Sequence, residues 1–292
     1  MTGTEERALV APALRADAHK GAAGRVLSLA GSREMPGAAV LCARGALRAG
    51  AGLVTAACLS ESLLQILPIA APEVVLRDLT RLADLAFVLE AGDFHAIVAG
   101  PGLGLERGAQ ATKALLAARR RAQTERPLVL DADSLNALAA EPDALRDEPG
   151  TLVLTPHPGE ARRLLGRAIP GDDAGRIDAA RELAARTGAI CCLKGRGTVV
   201  VRGDLVYVND TGNPGMATAG AGDVLAGVLG AYLALCATGE HPDWTPFDAV
   251  CSAVRVHGYA GDLAAAHQGQ RGVIASDLVT WLPAAQRRLA EA

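Results

Sequence analysis

The chain has 292 residues, 50% of them hydrophobic, enough apolar material for one large α/β domain or two small ones. A formal net charge of −3 and an aromatic content of 3% argue against a basic face for nucleic acid or anionic membrane, and against a base-stacking platform. The six cysteines (Cys42, Cys58, Cys191, Cys192, Cys236 and Cys251) lie in apolar stretches with no CxxC spacing, so they read as small buried hydrophobes in a reducing compartment rather than disulfides or zinc ligands.

The N-terminal segment MTGTEERALVAPALRADAHKG carries acids and has no apolar core, unlike a signal peptide. GRVLSLAG (24–31) predicts a strand ending in glycine, and PGAAVLCARGALRAGAG (36–52) a helix with Pro36 near its start and glycines at its end. LVTAAC (53–58) predicts a strand and RLADLAFVLEA (81–91) a helix. HAIVAG (95–100), PLVLDAD (127–133) and TLVLTPHPGE (151–160) are apolar strands that run into polar loops. AICCLKG and GTVVVRG (189–203) predict a strand pair around a glycine-bearing turn, and the chain is mostly helical from Ala219 onward. The longest strictly apolar run, 224–237, has 14 residues, short of the roughly 20 that span a bilayer. A cytoplasmic protein with neither membrane nor nucleic-acid partner is the expectation.

Continuous apolar strands separated by helices predict a mainly parallel sheet covered on both faces. No linker, low-complexity tract or repeat divides the chain, so a single domain over 1–292 is expected. In such sheets ligands bind beyond the carboxyl ends of the strands. The loops at 31–37, 100–104, 131–136, 155–160 and 194–198 are therefore predicted to open on the same side as GNPGMATAGAGD (212–223).

That last segment sets a puzzle. Glycines opening an apolar helix make an anion site, yet Asp223 would repel an anion. Gly220 and Gly222 allow close backbone approach, and the amides of Ala221, Gly222 and Asp223 can form a nest. Alternatively, Asp223 is a first-turn acid favoured by the helix dipole. Phosphoryl transfer reconciles the two: the nest holds the transferring group while Asp223, on the acceptor side, takes a proton from the attacking hydroxyl.

The other loops admit two readings each. Lys194 and the amides of KGRGT (194–198) suit nucleotide phosphates, or form an ordinary hairpin; GxxxxGK[ST] is absent, and GPGLG fails as a dinucleotide GxGxxG. His157, between two prolines, suits ligand contact or a capping role. Glu160 is explained by the start of its helix. Asp131 and Asp133 suit Mg²⁺ through water, or Asp133 caps SLNALAA, and the cap is the preferred expectation for Asp133. The remaining histidines lack metal-ligand spacing, and His257, inside AVCSAVRVHGYAGDLA, reads as structural.

HKGAAGRVLSLAGSREMPGAA (19–39), GALRAGAGLVT (45–55), AGPGLG (99–104), LDADSLNAL (130–138), LTPHPGEARRLLG (154–166), LKGRGTVV (193–200) and GNPGMATAGAGDVLAGV (212–228) occur in order along nearly the whole chain. Together they closely resemble the ADP-dependent (S)-NAD(P)H-hydrate dehydratases of the ribokinase-like superfamily. The resemblance implies a single-domain three-layer α/β/α sandwich with a mostly parallel central sheet. It implies that ADP phosphorylates the ring hydroxyl of hydrated NADH or NADPH, after which phosphate leaves and the dihydronicotinamide re-forms. By the same resemblance Asp223 activates the hydroxyl and the Gly220, Ala221 and Gly222 amides stabilise phosphoryl charge. Ala38, Gly102, His157 and Asp223 contact the hydrated dinucleotide. Lys194, Gly195, Arg196, Gly197 and Thr198, with Gly222, surround the nucleotide, whose phosphates Mg²⁺ neutralises with no assigned protein ligand.

A tetramer is a further implication. Only about twenty residues precede the HKG motif, so no N-terminal epimerase domain is expected and activity on one epimer alone is implied. Two alternatives remain: a superfamily kinase for a vitamin precursor or sugar, which shares GAGD, and a non-catalytic nucleotide-binding protein, which an intact Asp223 disfavours.

Overall fold

The apolar runs become strands of one sheet in the computed structural model, which describes residues 9–13 and 19–291. In chain order the elements are β1 (Arg25–Leu29), α1 (Pro36–Arg48), β2 (Leu53–Cys58), α2 (Glu61–Ala70), β3 (Val75–Asp78), α3 (Leu85–Ala91), β4 (Ala96–Ala99) and α4 (Leu105–Ala122). There follow β5 (Leu128–Leu130), α5 (Ala132–Ala137), β6 (Leu152–Leu154), α6 (Pro158–Leu165), α7 (Asp173–Thr187), β7 (Ile190–Leu193), β8 (Val199–Arg202) and β9 (Leu205–Val208). Three helices close the chain: α8 (Ala221–Ala237), α9 (Pro246–Gln268) and α10 (Ala275–Glu291).

The nine strands lie in the order β3-β2-β1-β4-β5-β6-β7-β8-β9. Pairing is parallel from β3 through β7, and β8 and β9 add an antiparallel edge. Strand order reverses between β1 and β4, the crevice where such sheets bind ligands.

Alternation along each strand divides the core into two layers. Val26, Val98, Val129, Val153 and Cys192 face the layer that contains α1, α2, α8, α9 and α10 residues. Leu27, Ile97, Leu130, Leu154 and Cys191 face the layer built by α3 to α7. This is the three-layer sandwich with a mostly parallel sheet that the sequence predicts. Among the cysteines, Cys236 alone is not fully buried.

α8 is apolar on all sides, and every residue from Val224 to Leu235 is buried, as expected of a helix enclosed by others. It packs against α1, α9 and the strands β1, β4 and β5. The α1–α8 contact requires a small residue: a β-carbon on Gly227 would lie 2.0 Å from the Cys42 carbonyl oxygen. That fit aims the first turn of α8 at the carboxyl edge of the sheet.

Backbone bonds continue beyond the strands and tie the loops together. Gly31 N–H donates to Pro101 O at 2.7 Å, Asp131 N–H to Ala99 O at 3.0 Å, and Lys194 N–H to Pro156 O at 2.8 Å. The five strand-end loops therefore open on one side, beside residues 212–223, as predicted. Asp133 does not cap α5; Asp131 occupies that helix's N-cap position without a side-chain cap bond. The Asp133 carboxylate instead accepts the Gly104 N–H at 2.8 Å, because the turn out of β5 carries it toward the loop after β4.

Candidate active site

Strand parity assembles the floor of the site. Residues 129, 153 and 192 face the α8 layer, so Asp131, Thr155 and Lys194, two positions on, emerge on that same face. The buried Asp131 carboxylate accepts Lys194 Nζ at 2.5 Å and Thr155 Oγ1 at 2.7 Å. Glu160 Oε2 lies 4.0 Å from the same ammonium. One cation thus sits between two buried carboxylates. Burial alone would pull the Lys194 ammonium down, but Asp131 and Glu160 outweigh it and hold the group above its ordinary range. Burial pushes the Glu160 carboxyl up, against the opposing pull of Lys194.

Above this floor begins α8. Gly220 takes φ 88° at the N-cap, a left-handed conformation that glycine adopts without a Cβ penalty. The Ala221 N–H turns back to Thr218 O at 3.4 Å, so the nest expected from Ala221, Gly222 and Asp223 loses one member. The first helical bond is Val224 N–H to Gly220 O at 3.1 Å. The Gly222 and Asp223 amides have no protein acceptor among the described residues. A β-carbon on Gly222 would stand 3.4 Å from Lys194 Nζ and 4.0 Å from Asp131 Oδ2, so the ion pair lies directly against the first turn.

The half-buried Asp223 carboxylate receives no hydrogen bond among the described residues. Burial, followed by the nearby Asp131 charge, raises it from 3.8 to about 6, with Lys194 opposing. A carboxylate free of donors and titrating near neutrality is suited to accept a proton.

Of the sequence-predicted substrate residues, Ala38 and Gly102 lie on the α1 side, while His157 stands at the start of α6. Gly102 takes φ 59°, and a β-carbon there would come within 2.5 Å of the Ala38 β-carbon, so the loops after β1 and β4 close on each other at the sheet's switch point. Beside them opens a cavity of about 470 Å³ lined by Gly31, Ser32, Arg33, Ser60, Gly104 and Arg107. His157 caps α6: its Nδ1 accepts the Gly159 N–H at 2.9 Å and the Glu160 N–H at 3.4 Å, while Glu160 accepts the His157 N–H at 2.8 Å. Its Nε2 lies 3.4 Å from Glu160 Oε1 and its side chain is 50% exposed.

The KGRGT loop divides between floor and rim. Lys194 turns inward as described, Gly195 and Arg196 are exposed, and the Thr198 hydroxyl donates to Gly195 O at 3.0 Å. Arg176, from α7, lies beneath the loop and donates to the carbonyl oxygens of Arg196 and Leu193. No sequence motif flagged it, since an arginine in an amphipathic helix reads as solvent-facing.

α9 supplies a second set of supports that sequence reasoning missed. Asp262 accepts the Gly212 N–H at 2.8 Å and the Asn213 side-chain amide at 2.9 Å. The Thr211 hydroxyl donates to Arg255 O at 2.8 Å, and His257 Nε2 reaches Ala221 O at 2.9 Å. His257 is structural, as expected, but it supports the site itself. The spacing His257–Asp262 on one helix was the available signal, without any indication of what it held.

Among the described residues no group of three or more His, Cys, Asp or Glu side chains is placed to hold a metal ion, and no helix is long and apolar enough to cross a membrane. The arrangement can bind an anion at two backbone amides and deprotonate a group beside it.

The chain is similar to a bifunctional NAD(P)H-hydrate repair enzyme from Thermofilum pendens, with 41% identity over 289 residues that cover 96% of this chain and 53% of that protein. It is also similar to an ADP-dependent (S)-NAD(P)H-hydrate dehydratase from Neisseria meningitidis serogroup B, with 37% identity over 276 residues, 90% of this chain and 88% of that protein. The chain spans about half the length of the bifunctional relatives it matches. In three dimensions it resembles the ADP/ATP-dependent NAD(P)H-hydrate dehydratase of Bacillus subtilis co-crystallised with ATP and Mg²⁺, at a TM-score of 0.81 and 32% identity, covering 98% of this chain and 97% of that one. The NAD(P)H-hydrate dehydratase family model matches residues 26–284. By this match and these identities, the chain belongs to the NAD(P)H-hydrate dehydratase family.

Proposed function

We propose that the protein dehydrates (S)-NADH-hydrate and (S)-NADPH-hydrate to NADH and NADPH, with ADP consumed to AMP and phosphate. The observation that carries this reading is the pairing of Asp223, raised to about 6 and free of donors, with the two open amides of its own helix turn. Asp223 accepts the proton of the ring hydroxyl as its oxygen attacks the β-phosphorus of ADP. The Gly222 and Asp223 amides, with Lys194 beneath, stabilise the charge on the transferring group. The ring nitrogen's lone pair then expels phosphate, a far better leaving group than hydroxide, and loss of a proton from the neighbouring ring carbon restores the dihydronicotinamide.

Ala38, Gly102 and His157 form the wall for the hydrated ring, and residues 194–198 with Gly222 form that for ADP. Mg²⁺, when bound with the nucleotide, would neutralise phosphate charge. Its ligands would be chiefly phosphate oxygens and water. Asp131 Oδ2, which takes no hydrogen bond among the described residues while Oδ1 serves Lys194 and Thr155, would be a carboxylate oxygen available to it. A cytoplasmic tetramer acting on the (S) epimer completes the proposal, and exposed Ile69, Phe87 and Leu105 offer apolar surface for assembly.

The test is recovery of dihydronicotinamide near-UV absorbance from authentic (S)-hydrate with ADP and Mg²⁺. Recovery supports the reading. No recovery with either ADP or ATP overturns it.

A further inference from the structure

The open amides of α8 serve catalysis only if the turn that carries them is held still. One contact bears on this directly: Nε2 of His257, on α9, lies 2.9 Å from the carbonyl oxygen of Ala221. A carbonyl only accepts, so Nε2 carries the hydrogen and donates it, leaving Nδ1 bare. His257 is 8% exposed, and burial pulls its imidazole down to about 4, so it works as a neutral donor at physiological pH.

The position of the accepting oxygen gives this bond its consequence. Ala221 O and Gly222 N–H belong to the same planar peptide unit, and Gly222 N–H is left without a protein acceptor among the described residues. A hydrogen bond to the oxygen of a peptide draws charge onto that oxygen through the conjugated C–N bond and makes the N–H opposite a stronger donor. Resting on the phosphoryl-transfer reading above, we infer that His257 is a positioning residue of the anion site: it pins the Ala221–Gly222 peptide and polarises it, strengthening Gly222 N–H toward the transferring phosphoryl group.

The surroundings fit a brace rather than filler. The next turns of α9 hold the approach to the same helix. A β-carbon on Gly258 would fall 2.3 Å from Thr211 Oγ1, one on Gly261 would fall 2.2 Å from Met216 Sδ, and Asp262 receives Gly212 and Asn213. One face of α9 therefore holds residues 211–221 as a unit, with His257 at the end nearest the open amides. An apolar side chain of similar size would fill the space but leave the peptide unpolarised.

The test compares His257→Leu, His257→Gln and His257→Asn in the full chain, each checked by thermal melting. Three quantities are measured: kcat for (S)-NADH-hydrate, the Kd of ADP, and the Kd of AMP with fluoroaluminate, a planar mimic of the transferring group beside its leaving nucleotide. In the leucine variant kcat should fall about tenfold to thirtyfold, less than when an anion-hole donor is deleted outright. Fluoroaluminate affinity should weaken in parallel while ADP affinity stays within about twofold. Glutamine, long enough to donate to Ala221 O, should recover most of both, and the shorter asparagine should not.

Unchanged kcat and fluoroaluminate affinity in a folded leucine variant overturn the inference, as does equal weakening of ADP and AMP–fluoroaluminate. If the leucine variant does not fold, the glutamine–asparagine pair decides, and equal values in the two overturn it. A wild-type protein inactive with both ADP and ATP counts against the dehydratase reading instead, and the fluoroaluminate comparison still tests His257.

Discussion

α6 and α8 both start just past the carboxyl edge of the sheet, yet they treat their free amides in opposite ways. α6 satisfies its own: His157 Nδ1 accepts the amides of Gly159 and Glu160, and the Glu160 carboxylate returns to the His157 N–H. α8 has Gly220 at the N-cap with no side chain to offer, so the amides of Gly222 and Asp223 remain open. A capped terminus contributes stability, typically about 1 kcal/mol. An open terminus forgoes that contribution and holds donors ready for an anion. The Lys194–Asp131 pair joins the two, with Glu160 of α6 4.0 Å from Nζ and Gly222 of α8 packed above it.

Substitution at the open terminus should have the largest effect on chemistry. Asp223→Asn is expected to lower kcat by about 10²- to 10⁴-fold while the Kd of ADP, measured calorimetrically, changes little. It should also melt no lower than wild type at pH 8. The folded protein holds the Asp223 proton more tightly than the unfolded chain does, so ionisation as pH rises through about 6 costs stability that asparagine never incurs. In the wild type, kcat/KM should rise over that same interval as the base ionises.

Lys194→Met attacks the link between the two helices. Two buried carboxylates lose their shared cation, a change that typically costs about 3–5 kcal/mol in denaturant unfolding. The deficit should shrink as pH falls and Glu160, whose carboxyl burial pushes up, protonates. Because Lys194 opposes the rise of Asp223, the ascending limb of kcat/KM should also move to higher pH. An unmoved limb would separate the pair from the base.

The capped terminus should give the smallest effect. His157→Ala is expected to lose about 1 kcal/mol of stability by the same assay, with kcat within a few-fold of wild type and a higher KM for the hydrate. A fall in kcat as large as that at Asp223 would erase the distinction between the two termini.

Much of this was legible in the sequence because it is local or periodic. Continuous apolar strands predicted the parallel sheet, and GAGD ahead of an apolar helix located the open terminus and its acid. What escaped depends on parity and on long-range contact. Lys194 reads as a contact for nucleotide phosphates or as an exposed hairpin lysine, but its position two residues after Cys192 turns it to the α8 face and onto Asp131. Asp133 reads as a cap, yet a short turn assigns its carboxylate to Gly104, 29 residues away. His257 sits 36 residues from the carbonyl it serves, inside an apolar helix whose pattern signals only burial. Edge strands β3 and β9 escaped too, because each is only four residues long and neither contains a buried residue.

The central claim is that the substrate hydroxyl is phosphorylated before it leaves, with Asp223 and the open amides of α8 acting on that one step. Hydrate labelled with ¹⁸O at the ring hydroxyl tests this directly when the products of a single turnover with ADP are analysed by mass spectrometry. The account predicts that the label appears in inorganic phosphate, one atom per NADH formed. Label released into water, with unlabelled phosphate, would contradict it.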